Sequence, residues 1–280
     1  MAYSSEISRT NPSCFLFLID QSGSMSDPFG GSESKKAKSE MVADIVNRLL
    51  QNLIIKCAKS EGVRDYFHIG VLGYGNLGVG SAFGGSLQGQ DLVAISEVAS
   101  SPLKVEQRVK TSDDGAGGLI ERPIKFPIWF DPIASGGTPM CEAIGKASYV
   151  LGNWLQEHNS SYPPTVINIT DGEATDGNPT EAAHTLRGLH SNDGNVLFYN
   201  IHLSSRKEAP IEFPDDENNL PDDHARLLFL MSSILPETTR ALAQNEGYKV
   251  SEQTRGFSFN ADAVALIRFL DIGTRPSNLR

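Results

Sequence analysis

The sequence predicts an α/β fold: a doubly wound, mostly parallel central sheet, flanked by helices on both faces, with one antiparallel edge strand. Three observations predict it. Short continuous apolar runs such as CFLFLI (14–19) and NVLFYNIHL (195–203) suit strands buried on both faces of a parallel sheet. Amphipathic stretches of helical period lie between such runs. The two patterns alternate along the chain, which is the order that crossover connections produce.

Each element follows from its own pattern. After the first strand, SESKKAKSEMVADIVNRLLQNLIIKCAKSEG reads as a helix. Met41, Ile45, Leu49, Leu53 and Cys57 repeat every four residues, and Val42, Leu50 and Ile54 widen the stripe. Ser32 or Ser34 is expected to cap its start, and Gly62 lies past its end. YFHIGVLGYG (66–75) is a second strand. Residues 76–127 are broken by Gly78, Gly80, Gly84, Gly85 and Gly89 and again by TSDDGAGG, so an elaborated connection is expected, with LKVEQRVK as one strand of a hairpin. A helix follows, with Pro139 in its first turn, an apolar face of Ile144, Ala147, Tyr149, Val150 and Leu151, and an end near His158. TVINIT supplies a strand with Val166, Ile167 and Ile169 in the core, and NPTEAAHTLRGLH a short helix capped by Thr180. HARLLFLMSSI, PETTRALAQNEG and ADAVALIRFLDIG read as helices, and RGFSFN as the last strand. No composition shift demands a boundary, so one domain is expected over 1–280, with its core at about 13–273 and an insertion at about 76–127.

Composition narrows the function classes. A net charge of −10 argues against a nucleic-acid surface and against an anionic membrane face. The three cysteines, Cys14, Cys57 and Cys141, are odd in number and widely spaced, which fits neither a disulfide framework nor a zinc ribbon. MAYSSEISRTNPS lacks the apolar stretch of a signal peptide. A cytoplasmic location is the expectation.

In doubly wound sheets, ligands bind beyond the carboxyl ends of the strands. Three segments carry oxygen donors to that edge: Asp20, Ser22 and Ser24 after the first strand, Thr138 in SGGTP, and Asp171 directly after TVINIT. Carboxylates and hydroxyls are what Mg²⁺ or Mn²⁺ prefers. Taken singly, Asp20 and Ser22 equally suit a helix cap, and Asp171-Gly172 a plain turn. Glu173, Asp176, Asp131 and Asp27 read first as solvated loop acids. His68 and His202 read as hydrogen-bonded core or edge residues, and Asp215, Asp216, Glu217, Asp222 and Asp223 do not follow the calcium-loop pattern. The glycine-rich stretch 73–89 lacks GK[ST] and is no phosphate loop.

Together the three segments resemble the von Willebrand factor A domain. DQSGSM matches its DxSxS motif, the threonine of GGTP its second element, and the aspartate of TDGEATDG its third; the resemblance runs from about Cys14 to about Ile272. It implies a Rossmann-like fold and a metal-ion-dependent adhesion site. By that resemblance Ser22, Ser24 and Thr138 would ligate the ion, Thr138 through water in some states. Asp20 and Asp171 would act through water or hydrogen bonds, and Gly136 and Gly137 would let the Thr138 loop approach. A Glu or Asp from a protein partner would complete the coordination.

The implied function is a non-enzymatic interaction module. The sequence resembles bacterial stand-alone domains associated with tellurite resistance, and that resemblance implies an adaptor in stress or phage response beside kinase-like and phosphatase proteins. Two alternatives stand beside it. One is an adaptor of a MoxR-like AAA+ ATPase. The other is a Mg²⁺-dependent phosphatase or phosphotransferase with Asp20 as nucleophile. A haloacid-dehalogenase-like enzyme would need a second aspartate where Ser22 stands, and no GxSxG supports a serine nucleophile.

Overall fold

The computed structural model describes residues 3–29, 36–113, 119–203 and 209–274. The central strands are β1 (Ser13–Gln21), β2 (Phe67–Gly75), β3 (Gly78–Ser81) and β4 (Val93–Ala94). Outside that sheet stand β5 (Lys104–Asp113) and β6 (Leu119–Ile128). The sheet resumes with β7 (Thr165–Thr170), β8 (Leu197–His202), β9 (Ile211–Glu212) and β10 (Phe257–Phe259). The helices are α1 (Lys38–Cys57), α2 (Ile95–Ser100), α3 (Met140–Glu157), α4 (Thr180–Gly188), α5 (Asp223–Met231), α6 (Glu237–Asn245) and α7 (Ala263–Gly273).

The eight-stranded sheet runs β9-β10-β8-β7-β1-β2-β3, with β4 also on β2. All pairings from β10 through β2 are parallel. β3 and β4 pair antiparallel to β2, and β9 antiparallel to β10, so the antiparallel edge expected from the sequence is present on both sides. The order reverses between β1 and β7: the chain moves outward from β1 to β2, then returns to build β7, β8 and β10 on the other side. Such a reversal opens a crevice at the carboxyl ends of the two strands.

β1 is buried along its whole length, and its alternating side chains feed two cores. Phe15, Phe17 and Ile19 pack into the layer holding α1 and α7; Cys14, Leu16 and Leu18 into the layer holding α3, α4 and α5. Each such side chain contributes roughly 1.5–3 kcal/mol of burial.

A buried polar ladder crosses this apolar interior. Tyr74 Oη donates to Asn168 Oδ1 (2.7 Å), Asn168 Nδ2 to Asn200 Oδ1 (3.0 Å), and Asn200 Nδ2 to Ser232 Oγ (3.0 Å). Ser232 Oγ then donates to the Leu228 carbonyl at 2.8 Å.

Several local expectations shift. Ser32 and Ser34 lie outside the described residues; α1 starts at Lys38, where the Glu40 carboxylate accepts the Ala37 amide at 3.1 Å. Pro139 is the cap of α3 rather than part of its first turn. Tyr149 faces solvent, 67% exposed, so the apolar face of α3 omits it. Thr180 opens α4 as its first residue, and the Asn178 side chain accepts its amide at 3.0 Å.

The 76–127 segment divides in two. β3, β4 and α2 extend the main sheet and its helical layer. β5 and β6 form a separate antiparallel hairpin, the first of them beginning one residue into LKVEQRVK. The hairpin stands on α1 through Arg108, which pairs with Asp44 at 2.8 Å while lying over the Phe126 ring at 3.8 Å. Among the described residues, no helix is long and apolar enough to cross a membrane.

Candidate metal centre

The crevice between β1 and β7 gathers the five residues singled out from sequence. Asp20 is the penultimate residue of β1 and fully buried. Its Oδ1 accepts the Ser22 amide at 2.8 Å and its Oδ2 the Thr170 hydroxyl at 2.6 Å, which ties β1 to the end of β7. Past the strand, a single 3-10 turn at Gly23–Ser26 folds the chain back. It brings Ser22 Oγ and Ser24 Oγ to 3.1 Å, and Ser24 Oγ donates to Asp171 Oδ1 at 2.7 Å.

Thr138 enters from the third loop. Gly136 has φ +83°, and a Cβ there would come within 2.4 Å of the Asn76 side chain, so only glycine fits. The Gly136 carbonyl accepts the Gly23 amide at 2.9 Å, which staples this loop to the serine loop. Thr138 N donates to Thr175 Oγ1 and Thr138 O accepts Thr175 N, both at 2.9 Å. Gly172 lies at the focus: a Cβ on it would stand 3.6 Å from Thr138 Oγ1 and 3.8 Å from Ser24 Oγ. The missing side chain leaves space where these hydroxyls converge.

These donors fit a hard divalent cation. All are oxygen, and two neighbouring ligands of an octahedral Mg²⁺ with bonds of about 2.1 Å lie roughly 3 Å apart, the separation of the two serine oxygens. Among the described residues, no group of three or more His, Cys, Asp or Glu is placed to hold a metal ion. Any cation here depends on hydroxyls and solvent for most of its coordination.

Electrostatics single out a residue the motif did not. Lys38, the first residue of α1, reaches in and places Nζ 2.7 Å from Asp171 Oδ2, with the two side chains 4% and 0% exposed. Asp27 Oδ2 stands 3.8 Å from the same ammonium. Both oxygens of Asp171 are thereby engaged, one by Ser24 and one by a resident positive charge. Among the described residues, Asp20 has no such counter-ion. Burial raises its carboxyl above the ordinary aspartate range, hydrogen bonds from Thr170 and Ser22 oppose that rise, and Asp171 adds to it. Tyr74, opposite Asp20 in the register, is raised well above the ordinary phenol range by burial and by the same carboxylates.

Three other acids have structural partners. Asp176 accepts the Glu142 and Cys141 amides at 2.9 and 3.1 Å, capping α3 at the point where the Thr138 loop enters it. Burial works against its ionisation, yet these hydrogen bonds prevail and hold it below the ordinary range. Asp131 pairs with Lys104 at 2.7 Å, and Asp222 caps α5 by accepting the Ala225 amide at 2.8 Å. His224, in the first turn of α5, is held below the ordinary imidazole range by burial, which outweighs the opposing pull of Glu173, Asp222, Asp171 and the Gly172 backbone. His68 accepts from Trp154 Nε1 at 3.1 Å.

No protein-family model and no curated protein matches the chain. Among solved structures the chain is similar to the ArnB paralog VWA2 from Sulfolobus acidocaldarius, with 15% identity over 71% of this chain and 36% of that one, at a TM-score of 0.33. The chain thus spans about a third of that protein's length. A likeness of this degree transfers no residue roles, and the α/β assignment rests on the strand order and register given above.

Proposed function

We propose that the chain is a metal-ion-dependent protein-interaction module of the von Willebrand factor A type. Asp20, Ser22, Ser24, Thr138 and Asp171 hold Mg²⁺ or Mn²⁺, and a Glu or Asp of a protein partner completes the coordination. The observation that carries this reading is the meeting of three loops at Gly172, where the hydroxyls of Ser24 and Thr138 face one gap at the switch point of the sheet. When bound, the ion would supply an electrophilic centre for an incoming carboxylate, because few protein charges neutralise it. The chain's own part is to hold the hydroxyls in place through Asp20 and Asp171.

The reading extends to a cytoplasmic adaptor without catalysis of its own, of the bacterial tellurite-resistance-associated kind, working beside kinase-like and phosphatase proteins. A MoxR-like AAA+ ATPase is the other partner class. Calorimetric titration with Mg²⁺ and Mn²⁺ tests the site: saturable binding in the wild type, lost in Asp20→Ala, is expected. Heat-free titration of the wild type with both ions would overturn it. Pull-down from the native host with and without EDTA separates the two partner classes. Turnover of a generic phosphate ester with Mg²⁺, abolished by Asp20→Asn, would replace the module by a phosphatase.

A further inference from the structure

The opposite edge of the sheet carries a second concentration of charge, of the other sign. Arg187 in the last turn of α4, Arg240 on α6 and Arg255 just ahead of β10 line one open cleft of about 600 Å³, together with His184, Asn195 and Ser233. The cleft lies below the N-terminal ends of β8 and β10, at the far end of the strands from Asp20 and Asp171.

The arginines crowd one another. Arg187 Nη1 donates to the Leu230 and Ser232 carbonyls, at 3.5 Å each, and Arg255 Nη1 donates to the same two at 3.4 and 2.6 Å. Arg240 Nη1 donates to the Leu235 carbonyl at 3.0 Å. The shared carbonyls belong to the C-terminal end of α5, which offers about half a negative charge to the two cations it holds. Among the described residues none of the three arginines pairs with a carboxylate, in a chain with 34 acidic residues. Arg187 Nε is buried and has no hydrogen-bond partner among the described residues. Burial and then the neighbouring Arg255 depress the Arg187 pKa, and burial depresses that of Arg255. The Arg255 guanidinium stands 5.2 Å over the Phe229 ring, so its plane is braced from one side.

We propose that this cleft binds a phosphate monoester, with Arg187, Arg255 and Arg240 taking the phosphate oxygens. A cluster of guanidiniums without a carboxylate is stable when an anion spans it, and unused N–H groups are left to meet one. A carboxylate engages one guanidinium fork, whereas a phosphate dianion offers acceptors to several at once. The cleft has room for more than a bare phosphate. The group is carried either by a free small molecule or by a phosphorylated side chain of a protein, and the arms of the test distinguish them. The proposal does not depend on the metal centre.

The wild type is titrated, at constant ionic strength, with inorganic phosphate, with a phosphoserine peptide and with acetate, by calorimetry. The same titrations are run on Arg187→Gln, Arg255→Gln and, as a control on the hairpin, Lys104→Gln. Saturable phosphate binding is expected, weakened about tenfold or more by each arginine change and unaltered in the control. Tighter binding of the phosphopeptide than of phosphate assigns a phosphoprotein; equal or weaker binding assigns a small-molecule phosphate. In the wild type itself, phosphate is expected to protect Arg187 and Arg255 from phenylglyoxal, read by peptide mass spectrometry, which keeps the test independent of how the variants fold. Absence of saturable binding, equal binding in the arginine variants, acetate binding as tight as phosphate, or unchanged phenylglyoxal labelling would each overturn the proposal.

Discussion

The two edges of the sheet handle charge in opposite ways. At the carboxyl edge, Asp171 is matched within 2.7 Å by Lys38, and Asp20 accepts two hydrogen bonds while keeping its charge unmatched. At the amino edge, Arg187 and Arg255 lean on backbone carbonyls, and no carboxylate among the described residues answers them. Partial charges of backbone groups tolerate an ion; they do not neutralise it. The difference teaches where removal of a charge hurts. A matched buried ion strands its partner when it goes, and an unmatched ion relieves its neighbours.

The sharpest way to break this contrast is Asp171→Asn. It leaves the buried Lys38 ammonium with only the exposed Asp27 carboxylate at 3.8 Å, and a loss of about 3 kcal/mol in urea unfolding is expected. Arg187→Gln is expected to change stability by no more than about 1 kcal/mol. Similar losses in the two variants would erase the distinction.

Next in size is Lys38→Met. If the proposed site takes a dication, removing the resident positive charge beside it is expected to tighten Mn²⁺ binding about tenfold or more, read by the electron paramagnetic resonance of free Mn²⁺. The metal-free variant should be less stable than the wild type and recover on adding Mn²⁺. Unchanged or weaker Mn²⁺ binding would mean that Lys38 orients Asp171 for the ion instead of competing with it.

Acidification comes third. Because burial lifts Asp20 above the ordinary aspartate range, Mn²⁺ affinity is expected to start falling at a pH above that range, since the ligand must be ionised. Stability of the metal-free protein responds with the other sign. The folded Asp20 holds its proton more tightly than the unfolded chain does, so its contribution grows as pH falls through the folded pKa and is lost as pH rises again. Urea titrations at several pH values, with Asp20→Asn removing this component, check the sign. The smallest effect belongs to Asp176→Ala, which uncaps α3 at a cost of about 1 kcal/mol, seen as a small drop in the melting temperature.

Much of this was legible in the sequence. The apolar runs located the parallel strands, and the spacing of Asp20, Ser22 and Ser24, with Thr138 and Asp171 at other strand and helix junctions, located the crevice. Lys38 was not read, because periodicity assigns it only to a helix start. A signal existed: a lysine in the first turn opposes the helix dipole and so needs a partner elsewhere. Asp176 passed as a loop acid because its role depends on reaching a helix that begins 36 residues earlier in the chain. The arginine cleft is assembled from α4, α6 and the turn two residues ahead of β10, so no local pattern announces it.

The ladder from Tyr74 through Asn168 and Asn200 to Ser232 has a further consequence. Every proton in it points the same way, from β2 toward α5. Shape alone therefore does not qualify a residue for these positions. Aspartate at 168 matches asparagine in outline, yet it would set an oxygen against the Asn200 oxygen and void the next link. A slip of one residue in β7 or β8 would turn an amide to the other layer and break the chain on both sides. The ladder acts as a parity check written into the sheet: only the correct strand order, in the correct register, reads through without an error.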